Sequence, residues 1–96
     1  MEKTFYVYIL ASKRNGTLYT GVTSDLVARV HQHKEGVVDG FTKKYGVKNL
    51  VYFENCGEAA VAIAREKAVK HWPRQKKLKT IEKDNPEWRD LFAEIV

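Results

Sequence analysis

Five side chains in this chain combine a reactive type with a suggestive spacing: Tyr8, Tyr19, Arg29, His33 and Glu66. His33 follows Arg29 by four residues and shares a three-and-four-residue stripe with Leu26 and Val30. An imidazole placed there is either a satisfied core histidine or a proton acceptor that works near neutral pH. Arg29 either pairs with an acid such as Glu66 or clamps a phosphate with its planar guanidinium. Glu66 interrupts an otherwise alanine-rich apolar stripe, where a carboxylate is costly unless it is paired or metal-bound. It could bridge to Arg29 or Arg65. It could also hold magnesium, which takes hard oxygen ligands and keeps several waters, so that one protein carboxylate can suffice. Tyr8 and Tyr19 are open to core packing or to catalysis. His31 and His71 are read as surface residues, and separated histidines without thiolates do not make a zinc motif. The cations Arg74, Lys76, Lys77 and Lys79 form either a solvated surface or a track for backbone phosphates.

Local patterns indicate the elements that must position these groups. Phe5 to Ala11 is rich in β-formers and predicts a strand. Alternation places Phe5, Val7 and Ile9 on one face and Tyr6, Tyr8 and Leu10 on the other. Asn15-Gly16 is a preferred hairpin pair, and Thr17 to Val22 predicts the returning strand. A two-residue turn there puts Tyr19 and Gly21 on the Tyr8 face, although a wider loop leaves the register open. Ser24 or Asp25 can cap a helix that Gly36 ends. Residues 40–48 predict a loop, and Asn49 to Glu54 a third strand. Glu58 to Trp72 is the strongest helix signal, with Ala59, Ala62, Ile63, Glu66 and Val69 near one stripe. Pro73 breaks or restarts that helix. A shorter basic helix spans residues 75–83. Asn85-Pro86 predicts an N-cap with proline in the first turn, and Trp88, Leu91 and Phe92 would pack a terminal turn.

Composition narrows the class. The 96 residues suit one compact domain spanning 1–96, and 44% hydrophobic residues can supply its core. No run approaches the ~18 apolar residues of a membrane span, and the N-terminus lacks secretory features. Cys56 is the one cysteine, which excludes an internal disulfide or a thiolate cluster and favours a reducing cytoplasm. Seventeen basic against twelve acidic residues give a net charge of +5, which favours polyanionic partners such as nucleic acid.

The ordered set resembles the GIY-YIG nuclease superfamily, and within it the small standalone bacterial YhbQ-like proteins. The half-motifs are Tyr6-Val7-Tyr8 and Tyr19-Thr20-Gly21. Arg29 and His33 follow, and Glu66 lies within Arg65-Glu66-Lys67. Subgroup signatures match at Asn15-Gly16-Thr17-Leu18-Tyr19, at Gly40-Phe41-Thr42-Lys43-Lys44-Tyr45 and at Asn85-Pro86-Glu87-Trp88. Tyr6 replaces the first motif's glycine, Thr20 replaces the second motif's isoleucine, and Pro73 disturbs a further signature.

The resemblance implies an α+β fold, a three-stranded antiparallel sheet flanked by helices. It implies a divalent metal, Mg²⁺ or Mn²⁺, held by Glu66, and phosphodiester hydrolysis. The leading expectation is a DNA endonuclease or a structure-sensitive nuclease, since a domain this small has limited surface for reading bases and phosphate contacts alone specify none. Tyr8 would deprotonate water with His33 accepting the proton, Arg29 would stabilise phosphate charge, Tyr19 would position water or a phosphate oxygen, and Gly21 would permit close backbone approach. Asn85 matches the family's late asparagine. The rival readings are a nucleic-acid-binding protein with little or no cleavage activity, and a domain acting through a protein partner.

Overall fold

A computed structural model describes residues 4–37 and 40–96. The elements run β1 (Phe5–Ala11), β2 (Leu18–Thr23), α1 (Leu26–Glu35), α2 (Gly40–Tyr45), β3 (Asn49–Gly57), α3 (Ala59–Lys70), α4 (Arg74–Asp84) and α5 (Phe92–Ile95). The three strands form one antiparallel sheet in the order β2-β1-β3, so the fold is α+β as expected.

The central strand is buried on both sides. Val7, Ile9 and Ala11 pack with Val51, with Val69 of α3, with Ile81 of α4 and with Trp88. Tyr8 and Leu10 pack on the other face with Leu50, with Val47 and with Leu26 and Val30 of α1. This explains why β1 reads as a nearly continuous apolar and aromatic run. Tyr8, on its second face, is therefore accommodated inside a helix-covered core.

The hairpin is wider than a two-residue turn. Ala11 pairs with Leu18, the Ser12 N–H bonds the Thr17 carbonyl at 3.0 Å, and the Gly16 N–H bonds the Lys13 carbonyl at 2.9 Å. Asn15 takes the left-handed conformation with φ of 58°. A two-residue turn at 15–16 would set Tyr19 opposite Ser12, whereas Tyr19 lies opposite Leu10 and Gly21 opposite Tyr8. The difference is a slip of two residues. Because side chains alternate with a period of two, Tyr19 and Gly21 stay on the Tyr8 face.

β3 continues three residues past Glu54, with two irregularities that the alternation pattern does not reveal. Ile9 pairs with Tyr52 but Leu10 with Leu50, so Val51 is the extra residue of a bulge. The bulge sends Leu50 to the Tyr8 face and Tyr52 to the other.

Two further expectations are corrected. Residues 40–45 form α2 rather than a loop. A helix of six residues has little intrinsic stability. This one is docked by Thr42, which is fully buried, and is closed by Gly46 at φ 63° and by the Val47 N–H on the Thr42 carbonyl. Asn85 caps the C-terminus of α4 and does not start a new helix at Pro86. Its buried carboxamide donates to the carbonyls of Val51 and Arg89 and accepts the Arg89 N–H at 2.9 Å, an arrangement that staples the following turn to β3. Among the described residues, no helix is long and apolar enough to cross a membrane.

Candidate active site

α1 begins at Asp25, whose side chain accepts the Ala28 N–H, and ends at Gly36 in the left-handed conformation. Between these caps the helical period turns Leu26, Val30 and His33 onto the sheet. His33 is 1% exposed and its two ring nitrogens are both engaged. Nε2 lies 3.1 Å from the Tyr8 hydroxyl and Nδ1 lies 3.1 Å from Oγ1 of Thr42. The Tyr19 ring packs beside the imidazole at 5.2 Å between centroids, and the Tyr8 and Tyr19 rings are 6.5 Å apart. Tyr8, Tyr19 and His33 thus meet on one sheet face from three different elements. Thr42, to which the sequence assigned no role, orients the imidazole.

At Gly21 the backbone is closely approached by a side chain of the sheet itself. A Cβ there would stand 2.4 Å from both Cζ and Oη of Tyr8. The missing side chain is the space in which the Tyr8 phenol lies. Burial also separates the two tyrosines, since Tyr8 is 1% exposed whereas Tyr19 is partly open to solvent.

Arg29 is half-buried, directs Nη1 to Oε1 of Gln32 at 3.4 Å, and pairs with no carboxylate among the described residues. Glu66 does not bridge to Arg29 or Arg65. Its partner is Lys70, one turn along α3, at 2.9 Å. The i,i+4 spacing is the signal by which Lys70 could have been found. The Glu66 hydrogen bond and charge raise the Lys70 ammonium above its ordinary range, and Tyr19 adds to this electrostatically.

As a metal ligand, Glu66 offers one largely buried carboxylate, 13% exposed at its side chain. No group of three or more His, Cys, Asp or Glu side chains assembles among the described residues. The donor set suits a hard cation that keeps most of its waters, and it does not suit zinc. The 55% exposed Lys70 side chain is the occupant that such a cation would displace.

The basic run divides by task. Arg74 donates from Nη2 to the carbonyls of Asn15 and Gly16 at 2.8 and 2.7 Å, which ties α4 to the hairpin. Lys77 donates to the Lys70 carbonyl at 3.1 Å, and burial, then the neighbouring Arg74 and Lys70, lower its pKa. Lys76 lies 4.4 Å over the Trp72 ring and Lys79 is exposed. Asn85 sits with Ile81 and Trp88 against the Val51 side of the sheet, away from the tyrosine face.

That opposite face holds a second polar cluster. Glu54 receives Nε and Nη2 of Arg65 at 2.8 and 3.2 Å, and also the hydroxyl of Tyr52. Burial and the Glu54 carboxylate push Tyr52 up to about 12, so its phenol stays protonated at neutral pH.

Residues 4–79 match the GIY-YIG catalytic domain family. The chain is 42% identical over 77 residues to a UPF0213 protein of Staphylococcus haemolyticus, covering 80% of this chain and 93% of that one. It is 40% identical over 76 residues to a UPF0213 protein of Staphylococcus saprophyticus, covering 79% and 92%. Among solved structures, the solution NMR structure of the UPF0213 protein BH0048 from Bacillus halodurans matches with a TM-score of 0.55 and 30% identity, covering 91% of this chain and 92% of that one.

Proposed function

This chain belongs to the GIY-YIG family, and from that premise we propose that it is a metal-dependent endonuclease that hydrolyses phosphodiester bonds in DNA. The observation that carries this reading is the buried Tyr8–His33 contact, with the Tyr19 ring against the same imidazole. A tyrosine alone is a poor base near neutral pH, because its reference pKa is about 10. An imidazole within hydrogen-bond reach removes that obstacle.

The proton path requires a defined tautomer. Nε2 of His33 must be bare to accept the Tyr8 proton, so Nδ1 carries hydrogen and donates to Oγ1 of Thr42. As water attacks phosphorus, its proton passes to the Tyr8 oxygen while the Tyr8 proton passes to Nε2, and the bond to the leaving oxygen breaks on the far side. The imidazolium that forms remains held by both neighbours. Tyr19, at the solvent edge, would orient the water or a phosphate oxygen. Arg29, paired with no carboxylate among the described residues, would bind the charge that builds on the phosphate. Glu66 would hold Mg²⁺ or Mn²⁺, which when bound neutralises phosphate charge and polarises the phosphoryl group. Lys76 and Lys79, with Arg74 and Lys77 beside them, would track the backbone. Phosphate contacts of this kind carry no base information, which favours selection by nucleic-acid structure.

Exposure favours a second assignment of the same chemistry. Tyr19 meets solvent and Tyr8 does not, so Tyr19 would be the tyrosine that meets the attacking water. The test of function is a cleavage panel of duplex, single-stranded, flapped and branched DNA plus RNA, with and without Mg²⁺ or Mn²⁺. Metal-dependent cleavage lost in both Tyr8→Phe and Tyr19→Phe supports the nuclease. Binding without cleavage of any substrate would assign the chain to nucleic-acid binding alone.

A further inference from the structure

α2 is turned the wrong way for a helix that exists to fill a core. Its threonine, Thr42, faces inward and is fully buried, while Phe41 is 43% and Tyr45 50% exposed. Hydrophobic burial would favour the reverse. The inward threonine is explained by His33, whose Nδ1 it meets. The outward rings require a separate explanation.

These rings are not scattered. Phe41 and Tyr45 are four residues apart and share one helical face. Their centroids are 5.0 Å apart, Phe41 is 6.1 Å from Tyr19, and Tyr19 is 5.2 Å from His33. An aromatic file therefore runs from the buried imidazole to the surface. Cations accompany it, with Lys43 in the same helix and Lys44 placing its ammonium 5.5 Å over the Tyr45 ring. Half-exposed aromatic rings beside positive charge suit a ligand with flat rings on an anionic chain, which describes single-stranded nucleic acid. In a duplex, the base faces are covered by their neighbours and cannot stack on a protein ring.

We propose that Phe41 and Tyr45 form a stacking platform for an unpaired nucleobase of single-stranded DNA, next to the phosphate that the Tyr8, Tyr19 and His33 cluster would engage. This rests on the nuclease reading for its place beside the scissile phosphate. The platform would make the protein select strands that are already open, such as single strands and flaps, over intact duplex.

The test uses the whole chain without metal, so that binding is read apart from turnover. The probe is a single-stranded DNA oligonucleotide carrying one 2-aminopurine, whose fluorescence is quenched when the base stacks. The expected result for the parent is quenching, with tighter binding of the single strand than of a duplex of equal length. Phe41→Leu with Tyr45→Leu keeps apolar bulk and removes the rings. It should abolish quenching and weaken single-strand binding by about tenfold or more, with duplex binding little changed. Tyr45→Phe, which retains the ring, should retain quenching and so separates stacking from misfolding. Parent protein that binds the strand without quenching would overturn the proposal, as would equal losses on single strand and duplex. A parent dimer that the double leucine variant dissociates, with no quenching, would assign the rings to a protein interface instead. If cleavage fails on every substrate while quenching behaves as expected, the nuclease reading falls and the platform stands.

Discussion

The Tyr8 hydroxyl and Nε2 of His33 stand 3.1 Å apart although 25 residues separate them, and both side chains are 1% exposed. A buried phenol–imidazole pair of this kind can share a proton without help from solvent. It also makes each partner's polar atom dependent on the other, because a buried polar group left unmatched is costly.

Tyr8→Phe keeps the ring and removes the hydroxyl. Cleavage should fall about 100-fold or more, and stability should fall by about 1–3 kcal/mol because Nε2 of His33 loses its partner. His33→Ala should also lower cleavage and alter its pH dependence. Single-turnover rates across pH for the parent, Tyr8→Phe, Tyr19→Phe and His33→Ala decide the roles. Full turnover by Tyr8→Phe at every pH would remove Tyr8 from the proton path. A loss in Tyr19→Phe that exceeds the loss in Tyr8→Phe would make Tyr19 the group that meets water.

Gly21→Ala should destabilise the fold by about 1–3 kcal/mol through overpacking, because the new methyl would stand 2.4 Å from the Tyr8 phenol. Thermal or denaturant unfolding measures the cost. On a Tyr8→Leu background the clash partner is gone, so the same substitution should cost much less. An equal cost on both backgrounds would refute the explanation of why residue 21 is glycine.

Glu66→Gln should reduce metal-dependent cleavage by about 100-fold or more while leaving the unfolding midpoint nearly unchanged. The salt bridge to Lys70 adds a second expectation. Lys70→Met removes the competing ammonium and should strengthen Mn²⁺ binding by up to about fivefold, the equivalent of an exposed ion pair. Calorimetry with Mn²⁺ reads both variants. Weaker Mn²⁺ binding in Lys70→Met, or undiminished binding in Glu66→Gln, would place the metal elsewhere.

Stability should decline in acid through Glu54. Burial alone would raise its carboxyl, but the hydrogen bonds of Arg65, then of Tyr52, outweigh burial and hold it below the ordinary range. A carboxyl whose folded pKa lies below its unfolded value releases its proton earlier in the folded state, so stability rises with pH across that interval. The contribution is complete above the ordinary glutamate pKa of about 4.3 and is lost as pH falls below it through the depressed folded value. Glu54→Gln should cost about 1–3 kcal/mol at neutral pH, and the gap from the parent should close in acid. Melting temperatures measured between neutral and acid pH provide the test. A gap that is the same at every pH would show that the Arg65 pair contributes nothing.

Much of this molecule is determined locally and is therefore legible in the residues. β-formers alternate through Phe5–Ala11, Asp25 and Gly36 bound α1, alanines build α3, and Pro73 separates α3 from α4, because propensity, capping and periodicity act over a few neighbouring residues. The order of Tyr8, Tyr19, Gly21, Arg29, His33 and Glu66 likewise identifies the family without a fold. Distances between elements are another matter. The hairpin width could not be read from Asn15-Gly16, yet the Tyr8 face survived because the slip was an even number of residues. Helix α2 reads as a loop along the chain because its stability comes from Thr42 docking on His33 and not from its own six residues. Asn85 resembles a helix start along the chain because its three backbone partners, supplied by Val51 and Arg89, are invisible there. The partner of Glu66, the orienting contact of Thr42, the space beside Gly21 and the unequal exposure of the two tyrosines were decided by packing, which brings together groups whose sequence separation carries no information about their spacing.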